Sequence, residues 1–223
     1  MTKYSAWARE AWAVFQKDLL SELRTKYALN AIVMFAIVTL SAVSFAVGQF
    51  AVGNDVRAAF LWIVLFFSAM SGLGRVFVKE EDASTVQVLR LAARSSAVYT
   101  GKLLFNMVLL FALAAVVVPL FVVLMALDVL DLVFFVGTLG LGIAGLAGAA
   151  TIIAAIIAKA SAKGELFAVL SFPILLPLLI TAIGGTRKAL DGVAAAGEFQ
   201  VLLSYLVVMV TVSLMLFDFV WND

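Results

Sequence analysis

The sequence predicts an all-α integral membrane protein with six transmembrane helices. Six stretches carry no Asp, Glu, Lys or Arg: Tyr27–Asn54, Ala58–Gly74, Leu103–Leu127, Leu132–Ala158, Leu166–Thr186 and Phe199–Phe217, from 17 to 28 residues long. At about 1.5 Å of rise per residue a 19-residue run covers roughly 28 Å as a helix, which matches a hydrocarbon core of about 30 Å. The shortest run ends at Arg75, but Val76, Phe77 and Val78 continue its apolar surface, and an arginine at a helix end can snorkel. The chain is 65% hydrophobic and 13% charged, with mean hydropathy +1.17, outside the range of soluble domains. The apolar runs are continuous, whereas a transmembrane barrel needs alternation in segments of about 10 residues.

Residues 3–24 read as an amphipathic helix that precedes the first span. Tyr4, Trp7, Ala8, Ala11, Trp12, Phe15 and Leu19 recur at spacings of three and four, with Lys3, Arg9, Glu10, Lys17 and Asp18 off that stripe. Such a helix suits the headgroup layer; the alternative is packing on its own bundle. Between the second and third spans, residues 79–98 form the longest later charged stretch. Lys79, Glu80, Glu81 and Asp82 lead into Ser84 and Thr85, then into a short helix with Val86, Leu89 and Ala93 on one side and Arg90 and Arg94 beside them. Early acids and later arginines suit the helix macrodipole. Exposed apolar groups beside charge make this segment a docking element, and Glu80, Glu81, Val86, Leu89, Arg90, Leu91 and Arg94 its candidate contacts. The remaining connectors are short, and the segment from Arg187 to Glu198 has room for a short helix or a re-entrant turn. Residues 1–223 form one domain without a linker.

Twelve of the 15 basic residues fall before the first span, between spans two and three, or between spans four and five; Arg57, Arg187 and Lys188 fall on the other side. The positive-inside rule therefore places both termini in the cytoplasm. The chain has no cysteine and no histidine, which excludes disulfides and thiolate metal sites. No cleavable signal peptide is visible in the charged first 26 residues.

Gly140, Gly142 and Gly145 satisfy G-x-G-x-x-G with Glu165 downstream, but they lie within a charge-free span rather than after a strand. Gly140, Ala144 and Gly148, spaced by four, read instead as a helix-packing stripe. Gly101-Lys102 resembles the end of a phosphate-binding loop, yet Ser96 stands where the first glycine is required and Leu103 where the hydroxyl belongs. Pro173 and Pro177, one turn apart in the fifth span, mark a break: a conformational hinge, a re-entrant turn or a static kink. No ionisable group sits at a span centre, so ion-coupled or proton-coupled transport has little to work with. No nucleophile, base or metal cluster is visible, and the chain is expected not to be an enzyme by itself.

Lys17-Asp18-Leu19 with Glu22 and Arg24, Arg75-Val76-Phe77 with Glu80-Glu81, Tyr99-Thr100-Gly101-Lys102-Leu103-Leu104, and Gly164-Glu165-Leu166 leading to Ser171-Phe172-Pro173-Ile174-Leu175-Leu176-Pro177 carry a resemblance. In this order the chain resembles the haem exporter protein B (CcmB) family, the membrane permease subunit of the cytochrome c maturation ABC transporter. One departure is Ala93, where that family usually has a proline. The resemblance implies a six-helix permease of the type V ABC exporter class, with an interfacial elbow helix and a cytoplasmic coupling helix, in the bacterial inner membrane. It implies a CcmA-like ATPase subunit that binds ATP, CcmC-like and CcmD-like membrane subunits, a second copy of the chain and the lipid bilayer as partners, and no nucleic acid. No cofactor is expected on this chain itself, with haem as candidate cargo. The alternatives are an exporter of lipid, glycan or drug, or a non-transporting scaffold of a haem-handling complex.

Overall fold

The computed structural model describes residues 3–47, 52–82, 85–158 and 163–222. Ser84 and Lys159 lie outside the described residues, as do the side chains of Tyr4, Glu165 and Leu166. Among the described residues there are nine helices and no strand: α1 (Lys3–Thr25), α2 (Tyr27–Val47), α3 (Asn54–Leu73), α4 (Arg75–Asp82), α5 (Val86–Ala92), α6 (Ser95–Leu124), α7 (Leu132–Ala158), α8 (Lys163–Leu190) and α9 (Ala196–Asn222). Six stretches are long and apolar enough to cross a membrane: α2, α3 running on into α4, α6, α7, most of α8, and α9. The all-α membrane architecture follows from this arrangement.

α7 is the central post. It packs against α3, α4, α6, α8 and α9, and from Gly142 onward almost every residue is buried. Its Gly and Ala content makes this possible, because small residues let helix backbones approach closely where lipid supplies no hydrophobic drive. The close approaches correct the expected stripe. A Cβ on Gly142 would lie 2.1 Å from the Trp62 ring, and one on Gly145 2.8 Å from Leu178. Ala144 is buried, but a Cβ on Gly140 or Gly148 would meet no described atom within 4 Å. Spacing by four picks out a row, and the row that touches α3 and α8 is a different one.

α8 also corrects an expectation. It runs unbroken through Pro173 and Pro177, so the prolines make no re-entrant turn. In the turn between them the Tyr205 hydroxyl of α9 donates to the Ile174 carbonyl at 3.0 Å, and Thr181 Oγ1 donates to the Pro177 carbonyl at 2.9 Å. These hydroxyls add hydrogen bonds to the backbone in and just after the proline turn, although the carbonyls that lose a helical donor are those of Val169 and Pro173. A third proline, Pro119, lies within the continuous α6. The connector after α8 holds neither a further helix nor a re-entrant turn: α8 ends at Leu190 and α9 begins at Ala196. Gly192 at φ +68° makes this tight reversal.

At the other end, the chain turns sharply from α1 into α2 at Lys26, which takes φ +51°. The Glu22 carboxylate accepts the Leu29 amide at 2.8 Å, satisfying one of the free donors at the start of α2. α1 does not project away from the bundle. It lies along α6 through Ala11, Val14 and Phe15, while Trp12, Leu20 and Leu23 face outward. Gly101 of α6 permits this: a Cβ there would sit 2.6 Å from the Ala11 carbonyl oxygen and 2.7 Å from Val14 Cβ.

Candidate functional site

The end of the bundle that carries most basic residues holds a buried ionic cluster. Lys102 lies two turns into α6 with its side chain fully buried. Its ammonium reaches back toward the helix start, as long cationic side chains do near a membrane boundary. There it donates to Asp18 Oδ2 of α1 at 3.1 Å, to the Val76 carbonyl of α4 at 2.9 Å and to Glu80 Oε1 of α4 at 3.4 Å. All three ammonium protons are thereby engaged. Lys102 also stands 5.0 Å from the centre of the Phe77 ring. Lys17 of α1 pairs with Glu80 and with Asp18, the latter at 3.2 Å. Two ammoniums meet two carboxylates, so the cluster is neutral while it ties α1, α4 and α6 together. Burial works against the Lys17 ammonium, but Asp18 and Glu80 outweigh it and raise its pKa above the ordinary lysine value.

Glu80 extends the cluster into α5. Its second oxygen accepts the Thr85 hydroxyl at 2.6 Å, and its carbonyl accepts the Thr85 amide at 3.0 Å, immediately before α5. α5 is anchored at three further points. Leu89 is buried in the core. Arg90 lies over the Trp221 ring of α9 at 5.4 Å, and Trp221 stacks on Phe217, which touches Phe77 and Tyr99. Arg94, just beyond α5, pairs with Glu10 of α1 at 3.7 Å and donates its amide to that carboxylate at 3.2 Å. Between them Val88 is 67% exposed and Leu91 91% exposed, an apolar edge held on a fixed base.

The seven predicted coupling residues are therefore split. Glu80 and Leu89 point inward, Arg90 and Arg94 clamp α5 to α9 and α1, and Leu91 and Glu81 face outward with Val86 half-buried. Ala93 keeps an amide that donates to the Leu89 carbonyl at 3.1 Å, at φ −148°. A proline could supply neither that donor nor that angle. Val88, Trp221 and the ionic partners Lys17, Asp18 and Lys102 were not among the predicted site residues. A lysine two turns inside an otherwise apolar helix was the available signal for Lys102. The predicted hinge at Pro173 and Pro177 and the glycine row on α7 lie outside this cluster.

An ionic clamp beneath a short exposed helix, carried on a bundle with six stretches long and apolar enough to cross a membrane, fits the membrane subunit of a larger assembly. The family model for CcmB protein matches residues 9–220, nearly the whole chain, and the chain belongs to that family. It is a membrane component of the haem-exporting cytochrome c maturation system, a multi-pass ABC transporter permease. No curated protein matches the chain significantly.

Proposed function

We propose that this chain couples ATP hydrolysis in a separate, CcmA-like ATPase subunit to rearrangement of its own six spans. The single observation that carries this reading is α5: a short helix whose outer edge, Val88 and Leu91, is exposed while its inner edge is locked to α1, α4 and α9. Force applied to such a helix reaches three elements at once, because Thr85, Arg90 and Arg94 tie it to α4, α9 and α1. Tests of docking at Leu89 or Arg90 would damage the base; the exposed edge is the cleaner target. Leu91→Glu combined with Val88→Glu should abolish co-purification of the ATPase subunit in mild detergent, with insertion and thermal unfolding of the permease unchanged. Retention of a stable ATPase complex by that variant would overturn the docking assignment.

The same reading places the clustered basic residues and both termini in the cytosol, in the inner membrane of a bacterium, with α1 at the headgroup layer through Trp12, Leu20 and Leu23. Reporter fusions at Asp128 and Gly192 should then register outside the cytosol. CcmC-like and CcmD-like subunits and a second copy of the chain are the proposed membrane partners. Haem is the proposed cargo, ATP is bound by the partner, and no cofactor resides on this chain. Pigment co-purifying with the assembled complex tests the cargo. A lipid or glycan in its place would favour an exporter of other cargo, and maturation that persists with a catalytically dead ATPase would favour a scaffold.

A further inference from the structure

One group of polar side chains has no part in the clamp. On α6, Tyr99 and Asn106 are two turns apart on one face, and both are fully buried. Facing them on α7 are Gly148 and the buried Thr151, and on α9 the buried Ser213. The contacts link them: the Tyr99 hydroxyl lies 3.5 Å from the Gly148 carbonyl and beside Ser213, and Asn106 Nδ2 donates to Thr151 Oγ1 at 2.8 Å, which donates on to the Ala147 carbonyl at 2.6 Å. Asn106 Oδ1 is buried and has no hydrogen-bond partner, while Ser213 Oγ lies against the Tyr99 hydroxyl. Beside them the position of a Cβ on Gly148 is open space with respect to the described residues.

Polar atoms left unpaired inside a bundle are costly and rare, and α7 is elsewhere close enough to its neighbours to forbid a Cβ at Gly142 and Gly145. Open space beside Gly148 and an unpaired acceptor on Asn106 therefore fall on the same stretch of the α6–α7 contact. We infer that α6, α7 and α9 enclose a site around Gly148 for water, the smallest neutral donor and acceptor, which donates to Asn106 Oδ1 and exchanges a hydrogen bond with Ser213 or Tyr99. Those partners meet the two to four polar contacts a buried water needs. The site lies one helical turn inward of Lys102, which precedes Asn106 by four residues on α6.

Radiolytic hydroxyl labelling tests this, because a bound water generates the radical beside the side chain it touches. In the full-length protein in detergent, Tyr99 should be labelled well above the buried, apolar-lined Phe121 and Phe135. Gly148→Val should remove that excess by occupying the space, and the smaller Gly148→Ala should reduce it. Unchanged labelling at Phe121 and Phe135 reports an intact fold; should Gly148→Val fail this check, Gly148→Ala decides alone. Asn106→Leu should also lower Tyr99 labelling by removing the acceptor. Tyr99 labelling equal to that of the two phenylalanines overturns the inference. So does Tyr99 labelling that persists unchanged when Gly148 is filled, since water would then reach it from the bundle end.

Discussion

The two ends of this bundle are closed by different chemistry. At the basic end, α1, α4 and α6 meet through buried charge: Lys102 and Lys17 against Asp18 and Glu80. At the opposite end the ties are single bonds spread over separate pairs, with no buried cluster of charges among those described. Trp62 donates to Thr186 at 2.9 Å in the interior, Asn54 donates to Asp191 at 2.7 Å, and the Asp131 amide donates to the Ala189 carbonyl at 2.9 Å across the short loops. Asp131 also caps α7 through the Phe134 amide at 3.0 Å. Lys188 and Glu198 add one ion pair, at 2.6 Å. Separate bonds under short loops fix a geometry. A buried charge cluster also fixes one, but it leaves a large penalty if any member is lost. The end built on charge is also the one that presents the exposed edge of α5.

The sharpest way to break the contrast is Lys102→Met. It leaves Asp18 and Glu80 with only Lys17, which is partly exposed, and removal of one partner from a buried pair costs about 3–5 kcal/mol. Thermal unfolding in detergent should fall accordingly, while Lys102→Met combined with Asp18→Asn and Glu80→Gln should recover much of the loss. A Lys102→Met protein as stable as the parent would show that the cluster is not a clamp. Gly101→Val should rank second. Its side chain meets the Ala11 carbonyl, a backbone atom that cannot step aside, so α1 must be displaced; overpacking of this kind costs about 1–3 kcal/mol. Limited proteolysis within α1 should accelerate in Gly101→Val and stay unchanged in a control at Gly140, where a Cβ meets no described atom.

These sites also mark what was legible beforehand. The six spans were readable because a hydrocarbon core tolerates so few charges that charge-free runs delimit helices almost alone. The short helix between the second and third spans was readable because acids, arginines and apolar residues share a few turns. The convergence of Lys17, Glu80 and Lys102 was not, because it depends on how α1, α4 and α6 lie against one another, and no local pattern records that. Lys102 itself resembles any cation bordering a span. Glycine spacing announced that α7 has a close-packed side, but not which of its rows meets Trp62 and Leu178. The two prolines of α8 announced missing donors, but whether the helix breaks there is set by how α8 packs against its neighbours, which no local pattern records.

At the opposite end, Trp62→Phe should have a smaller effect. It removes the donor to Thr186, whose hydroxyl is fully buried, and a buried group left without its partner costs about 1–3 kcal/mol, below the cost of the Lys102 change. Because no charge is involved, the loss should be the same at low and high ionic strength.

The smallest effect belongs to Lys17, and it separates the exposed from the buried half of the clamp. Its side chain is 45% exposed, so solvent screens it and Lys17→Met should cost only about 0.2–1 kcal/mol. Its pH dependence has a fixed sign. The folded pKa lies above the ordinary 10.5, so Lys17 binds its proton more tightly in the folded protein and its contribution is complete below that value. The contribution disappears only as pH rises through the folded pKa. Unfolding of the parent and of Lys17→Met should therefore differ by a constant amount from pH 6 to pH 9 and converge above it. Convergence on acidification instead would mean that the partner carboxylates, rather than Lys17, set the strength of this half of the clamp.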